Sequence, residues 1–199
     1  MEVARPPTVS IARLKAVQGA ELLRRQYLPK EVRVLFVGES PPAGGTFFYA
    51  ANSNLYFATE EAFVAALPAR AGKDFLEEFR RMGCYLDDLC LEPVSRLDAR
   101  NPLRVAARAE GQERLAEHLR IWRPKAIVVA MVAIAENVAR AAREAGLEDV
   151  QEHVLPFPGR KAHRDRYVAE LVILVTGFEA AGVLLRGGKA AQSARLNRF

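Results

Sequence analysis

The residues best suited to chemistry lie in three short stretches. In the first, "VRVLFVGESPPAGGTFFY", a carboxylate at Glu39 follows an apolar run and a glycine, and precedes Pro41, Pro42, Gly44, Gly45 and the aromatics Phe47, Phe48 and Tyr49. A carboxylate there can orient or activate a water as a general base, or be a solvated or helix-capping side chain. The prolines restrict the loop and the glycines permit close approach to it. The aromatic faces suit stacking on a flat ring or burial in a core. In the second, "CYLDDLCLEPV", Asp87 and Asp88 can accept hydrogen bonds from the amino or imide groups of a ligand, or cap the following segment. In the third, "LPFPGRKAHR", Pro156, Pro158 and Gly159 make a stiff turn carrying Phe157, with Arg160, Lys161, His163 and Arg164 behind it. An apolar wedge backed by cations can unstack a duplex while gripping its phosphates. A Pro-rich strand-to-helix turn with a partly buried Phe fits the same residues.

His118 falls in a charged helical stretch and reads as a surface residue, and His153 reads as a hydrogen-bonded structural residue inside a strand. His163 belongs to the loop expected to face a cleft. The sequence contains no Gly-x-Ser-x-Gly elbow, Walker phosphate loop or His-Glu-x-x-His zinc motif, which removes support from those hydrolase and nucleotide-triphosphatase classes.

The elements that must position these residues alternate. A helix through Ile11 to Leu23, capped by Ser10, precedes a buried strand at Arg33 to Val37. Helices near Glu60 to Leu67 and Asp74 to Met82 lead to a second strand ending at Asp87 and Asp88. A helix near Arg104 to Ile121 precedes a third strand, Ala126 to Met131, and an Ala-rich helix closed by Gly146. The last strand, Val150 to Leu155, runs through the Phe157 loop into a helix carrying Val168, Leu171, Val172 and Val175. Strands separated by helical crossovers predict a three-layer αβα sandwich with a central, mostly parallel four-stranded sheet. Ligands of such sheets bind beyond the carboxyl ends of the strands, where all three stretches leave. One domain is expected over residues 1–185, followed by a basic, flexible tail over 186–199.

With 199 residues, half of them hydrophobic, the chain can bury one sizeable core. Two cysteines, Cys84 and Cys90, build neither a disulfide framework nor a four-thiolate metal site, which fits a reducing, cytoplasmic setting. No signal pattern opens the sequence, and no uncharged apolar run approaches the roughly 20 residues that span a bilayer, so neither export nor a membrane partner is expected. The net charge of +5 is concentrated late in the chain, in Arg160 to Arg166 and after Leu185, and such a field suits a polyanion.

Taken together the three stretches resemble the uracil-DNA glycosylase superfamily. "VLFVGESPP" is similar to its first motif, in which a strand ends in Gly, a polar residue, a variable residue and Pro, and "RPKAIVVAMVAIAENV" is similar to its third strand and following helix. The resemblance spans roughly Val32 to Leu174 and implies extrusion of a base, its recognition in a snug pocket and hydrolysis of the N-glycosidic bond by an oriented water. On this reading Glu39 positions the water, Phe47 or Phe48 stacks on the base, Asp88 reads its edge, and Pro156, Phe157, Gly159, Arg160, Lys161 and Arg164 contact DNA. The sequence departs from the family in three ways. Leu155, Pro156 and Phe157 stand where the family has His-Pro-Ser, leaving His153 or His163 as the nearby substitutes, with His163 taken as the catalytic partner of Glu39. Asp88 replaces a base-reading Asn, and an ionised Asp accepts hydrogen bonds but donates none. The iron-sulfur cluster of the thermostable branch needs four cysteines, so no cofactor is expected. The leading expectation is a divergent glycosylase acting on uracil or another damaged base in DNA. A nucleic-acid-binding protein without catalysis and a hydrolase of free nucleosides or nucleotides are the alternatives. Oligomeric state is left open.

Overall fold

The computed structural model describes residues 11–70 and 74–185. The expected Ser10 cap and the tail at 186–199 lie outside the described residues. Four strands form one sheet: β1 (Val34–Gly38), β2 (Cys84–Asp88), β3 (Ala126–Val129) and β4 (Gln151–Val154), in the order β2-β1-β3-β4. Every pair is parallel, with Val34 opposite both Cys84 and Ala126, and Ala126 opposite Gln151. β1, β2 and β3 are buried throughout, as expected of strands covered on both faces, whereas β4 is a partly exposed edge. The sheet is therefore wholly parallel, and the layered α/β expectation holds.

Six α-helices accompany it among the described residues: α1 (Ile11–Gln26), α2 (Asn54–Ala66), α3 (Phe75–Arg81), α4 (Pro102–Trp122), α5 (Ala135–Glu144) and α6 (Lys161–Ala180). α2 begins well before the expected Glu60, because the Ser53 hydroxyl accepts from the Tyr56 N–H at 3.1 Å and caps the first turn. α4 starts at Pro102, where a missing N–H costs nothing, behind Asn101, whose side chain accepts from the Leu103 N–H at 2.9 Å. β3 ends at Val129 rather than Met131, since the chain bends into a 3-10 turn at Val132–Ile134. None of the described helices is long and apolar enough to cross a membrane.

The chain moves from β1 to β2 in one direction, then back across β1 to β3 and β4. Right-handed crossovers put connections of opposite direction on opposite faces of a sheet. In agreement, α2 packs on α6 and α4 packs on α5. A buried hydroxyl pair, Thr59 with Tyr167 at 2.9 Å, ties α2 to α6. Phe36, Phe48, Phe63, Phe75 and Phe79 form a ring cluster between the sheet and α2 and α3. The outer edge of β2 is closed by one side chain: the Tyr49 hydroxyl donates to the Leu86 carbonyl at 3.0 Å and accepts from its N–H at 2.8 Å. On the other face α4 rests directly on the backbone that leaves β2. Gly111 makes this approach possible, because a Cβ there would overlap the Leu89 carbonyl.

Candidate functional site

A cavity of about 420 Å³ opens beyond the carboxyl ends of the strands, where β1 continues toward β2 and β3 toward β4 on opposite sides. Its lining draws on all four strand ends: Glu39 after β1, Asp88 at the end of β2, Met131 after β3 and Phe157 after β4. Such a switch point is where an open parallel sheet leaves a crevice, because the flanking crossovers depart to opposite faces. Phe47, Phe48, Asn52 and Leu86 complete much of the wall. The loop between β1 and α2 is shaped by its own polar side chains. Asn52 Oδ1 accepts from the Phe47 N–H at 2.7 Å, and Ser40 Oγ accepts from the Val94 N–H at 3.3 Å.

Glu39 is fixed at both ends. Its carbonyl accepts from the Cys90 N–H at 2.7 Å, which continues the β1–β2 ladder beyond the strands. Its carboxylate is gripped by two arginines of α4. Arg104 donates through Nε to Oε1 at 2.8 Å and through Nη2 to Oε2 at 2.5 Å. Arg108 donates to Oε1 through Nε at 2.8 Å and through Nη2 at 2.5 Å. Burial alone would push this carboxyl up, but the hydrogen bonds and charges of Arg104 and Arg108 outweigh it and leave Glu39 below the usual Glu range. The two arginines thus favour the ionised, hydrogen-bond-accepting form of Glu39. It can hold a water through Oε2 but is a weak base toward the water's proton.

The acidic pair of β2 belongs to a second network. Arg24, 2 % exposed, reaches from α1 to Asp87 Oδ1 at 2.9 Å and to Asp88 Oδ2 at 2.6 Å. Asp87 Oδ2 meets His118 Nδ1 at 2.9 Å and Arg114 Nη1 at 3.1 Å, and Arg114 also donates to the Asp88 carbonyl. Burial raises the Asp87 carboxyl, yet the His118 hydrogen bond and the Arg24 and Arg114 charges bring it down to about 2. For Asp88 burial prevails over Arg24, and the Asp87 charge adds to it, so this carboxyl is raised to about 6. Asp87 Oδ1 accepts from the next backbone N–H, that of Asp88, at 2.9 Å, and among the described residues neither side chain reaches the backbone beyond Asp88. His118 is a half-buried partner of Asp87 rather than a surface residue. His153 also differs from expectation: its Nε2 is buried without a hydrogen bond among the described residues, and its ring stands edge-on to Phe178.

Both candidate stacking residues line the cavity, in different circumstances. Phe48 is committed to the core, with Tyr49, Tyr56, Phe75 and Phe79 around its ring. Phe47 touches Tyr49 edge-on and has the Arg24 guanidinium 5.5 Å from its centroid, which makes it the freer face. Phe157, 40 % exposed, forms part of the rim between buried Pro156 and Pro158, with Gly159 exposed beyond them. The cations behind it already have partners on the protein: Lys161 pairs with Asp165 at 2.6 Å and Arg164 with Glu61, while Arg160 is exposed. His163 is exposed on the first turn of α6 and does not line the cavity; nor do His118 and His153.

Sequence reasoning missed the arginines. Arg104, Arg108, Arg114 and His118 fall on one stripe of α4 at helical spacing, with Gly111 between them. That stripe was the available signal: a cationic face interrupted by a glycine has a reason to turn inward. Arg24 gave none, being a basic residue in the last turn of an ordinary amphipathic helix. No protein-family model matches the chain, and no curated protein does.

Proposed function

We propose that the protein is a divergent DNA glycosylase that hydrolyses the N-glycosidic bond of a flipped uracil or another damaged base. The observation that carries this reading is the convergence of an ionised carboxylate, a second acidic side chain, an aromatic face and an apolar rim residue on one cavity at the sheet's switch point. In it Glu39 Oε2 orients the attacking water, Phe47 stacks on the extruded base, Asp88 meets its edge and Phe157 occupies the space that the base leaves. Two guanidinium groups face one Glu39 carboxylate, so that cluster holds surplus positive charge, and Arg104 lines the cavity. This supports Arg104, rather than the outlying His163, as the group that balances charge on the departing base.

A second reading, nucleic-acid binding without catalysis, draws on a specific observation as well. Glu39 Oε1 already accepts three hydrogen bonds and no histidine lines the cavity. Base release from single- and double-stranded oligonucleotides carrying uracil, hypoxanthine, xanthine or an alkylated base, read as strand breaks after alkali, separates the two. Glycosylase action predicts release that falls about 100- to 1000-fold in Glu39→Gln. The double variant Glu39→Gln/Arg108→Gln, which leaves the cluster's net charge unchanged, is expected to be equally inactive. Binding of the same oligonucleotides without release by the unaltered protein favours the second reading.

A further inference from the structure

Asp88 Oδ1, on a buried residue of the cavity wall, has no hydrogen-bond partner among the described residues. Asp88 is 6 % exposed; its Oδ2 is taken by Arg24, its N–H donates to Asp87 Oδ1 at 2.9 Å and its carbonyl accepts from Arg114. Oδ1 instead lies against the backbone of Gly38. A Cβ on Gly38 would stand 2.5 Å from Oδ1, and both residues line the cavity. The bare Gly38 backbone is thus what allows Oδ1 to stand there.

Arg24 settles which oxygen is left over. A guanidinium only donates, so the atom facing it must accept, and the other carboxylate oxygen is the one offered to a ligand. The groups that act on Asp88 are Glu21 and Arg24 from α1, Asp87 beside it on β2, and Arg114 from α4, with His118 behind Asp87. Because burial holds the Asp88 carboxyl near 6, it is ionised at pH 8, where Oδ1 is an acceptor only. An exocyclic amine donates to such an atom, whereas a carbonyl at the same place sets two acceptors against each other. A buried acceptor confronted with another acceptor discriminates more strongly than a missing apolar contact would.

Resting on the reading of the cavity as a base pocket, we propose that Asp88 Oδ1 selects bases with an exocyclic amine at the recognised edge, of the adenine or cytosine type including their alkylated forms, over the corresponding carbonyl bases. This narrows the substrate class away from uracil and hypoxanthine.

The test uses two pairs of small probes in which a methyl group occupies the glycosidic position, so that nothing can be cleaved: 9-methyladenine against 9-methylhypoxanthine, and 1-methylcytosine against 1-methyluracil. Affinities are measured by NMR titration of the full chain at pH 8. The amine member of each pair is expected to bind about tenfold more tightly. In Asp88→Asn the Arg24 guanidinium forces the amide oxygen toward itself and turns the amide NH₂ to the cavity, so the preference is expected to reverse. Equal affinities, a carbonyl preference in the unaltered protein, or an unchanged amine preference in Asp88→Asn overturns the inference while leaving the base pocket standing. Failure of all four probes to bind removes the base-pocket reading and the inference with it. Should Asp88→Asn not fold, judged by its melting curve, the unaltered protein at pH 5 replaces it. There a protonated Oδ1 donates, and the amine preference must shrink if the inference is right; a preference unchanged from pH 8 overturns it.

Discussion

Two carboxylates stand at the carboxyl ends of neighbouring strands, and the protein holds them in opposite ways. Glu39 and Asp88 are almost equally buried, at 8 % and 6 % exposed, so depth does not distinguish them. What differs is the supply of donors. Glu39 receives four hydrogen bonds from two arginines and lies below the usual range, whereas Asp88 receives one side-chain hydrogen bond from an Arg24 that it shares with Asp87, and lies above it. Burial raises any carboxyl; the count and placement of guanidinium groups decide the final direction. One wall of the cavity therefore carries a carboxylate held toward its ionised form and the other a carboxyl whose proton is within reach of ordinary pH.

The largest effect is expected from removing the bidentate half of the Glu39 grip. Arg104→Ala leaves a buried carboxylate with Arg108 alone and should cost about 3 kcal/mol in denaturant unfolding. A loss below about 1 kcal/mol would put the pair in the class of exposed ion pairs and break the comparison. Next comes the pH dependence of stability. Asp88 has a folded pKa of about 6, above its ordinary 3.8, so between about pH 4 and 6 the folded chain holds a proton that the unfolded chain has released. Stability from this group is full below about pH 4 and falls by on the order of 2 kcal/mol as pH rises to about 6. Asp87 works in the other direction, its contribution being lost as pH drops from about 4 toward 2. Melting temperatures across pH 4 to 7 should show the Asp88 decline in the unaltered protein and lose it in Asp88→Asn. The smallest effect sharpens the contrast. Arg108→Gln should raise the Glu39 titration in carboxyl-resolved NMR without carrying it to the Asp88 value, because its other arginine remains, and should leave Asp88 where it was. Equal movement of both would mean that the two networks are one.

The sheet was legible because three of its strands are short and wholly buried, β1 and β3 being rich in β-branched residues and β2 ending at its acidic pair, and the bounds of β1 and β3 shift by only a residue or two. Capping misled the placement of α2, whose true start at Asn54 is written in Ser53 rather than in the apolar pattern around Glu60. Within the cavity, Glu39, Phe47, Phe48, Asp88 and Phe157 were found from their position after strands, since the carboxyl edge of a parallel sheet gathers whatever follows each strand. Their partners were not. An arginine in a helix reads as solvated by default, and its burial becomes apparent only when the carboxylate it meets, far along the chain, is known. His163 shows the converse failure. Proximity in sequence to a site loop suggested a role, yet the first turn of α6 carries it outward.

Gly111 does not line the cavity beside Glu39, yet it sets the height at which α4 rides over the sheet edge. Any side chain there would act as a shim, lifting the helix off the Leu89 carbonyl and drawing Arg104, Arg108, Arg114 and His118 away in a single movement. The grip on Glu39 and the tuning of the aspartates would slacken together, although neither shares a hydrogen bond with the altered residue. The electrical setting of the whole cavity thus hangs on the space left by one hydrogen atom.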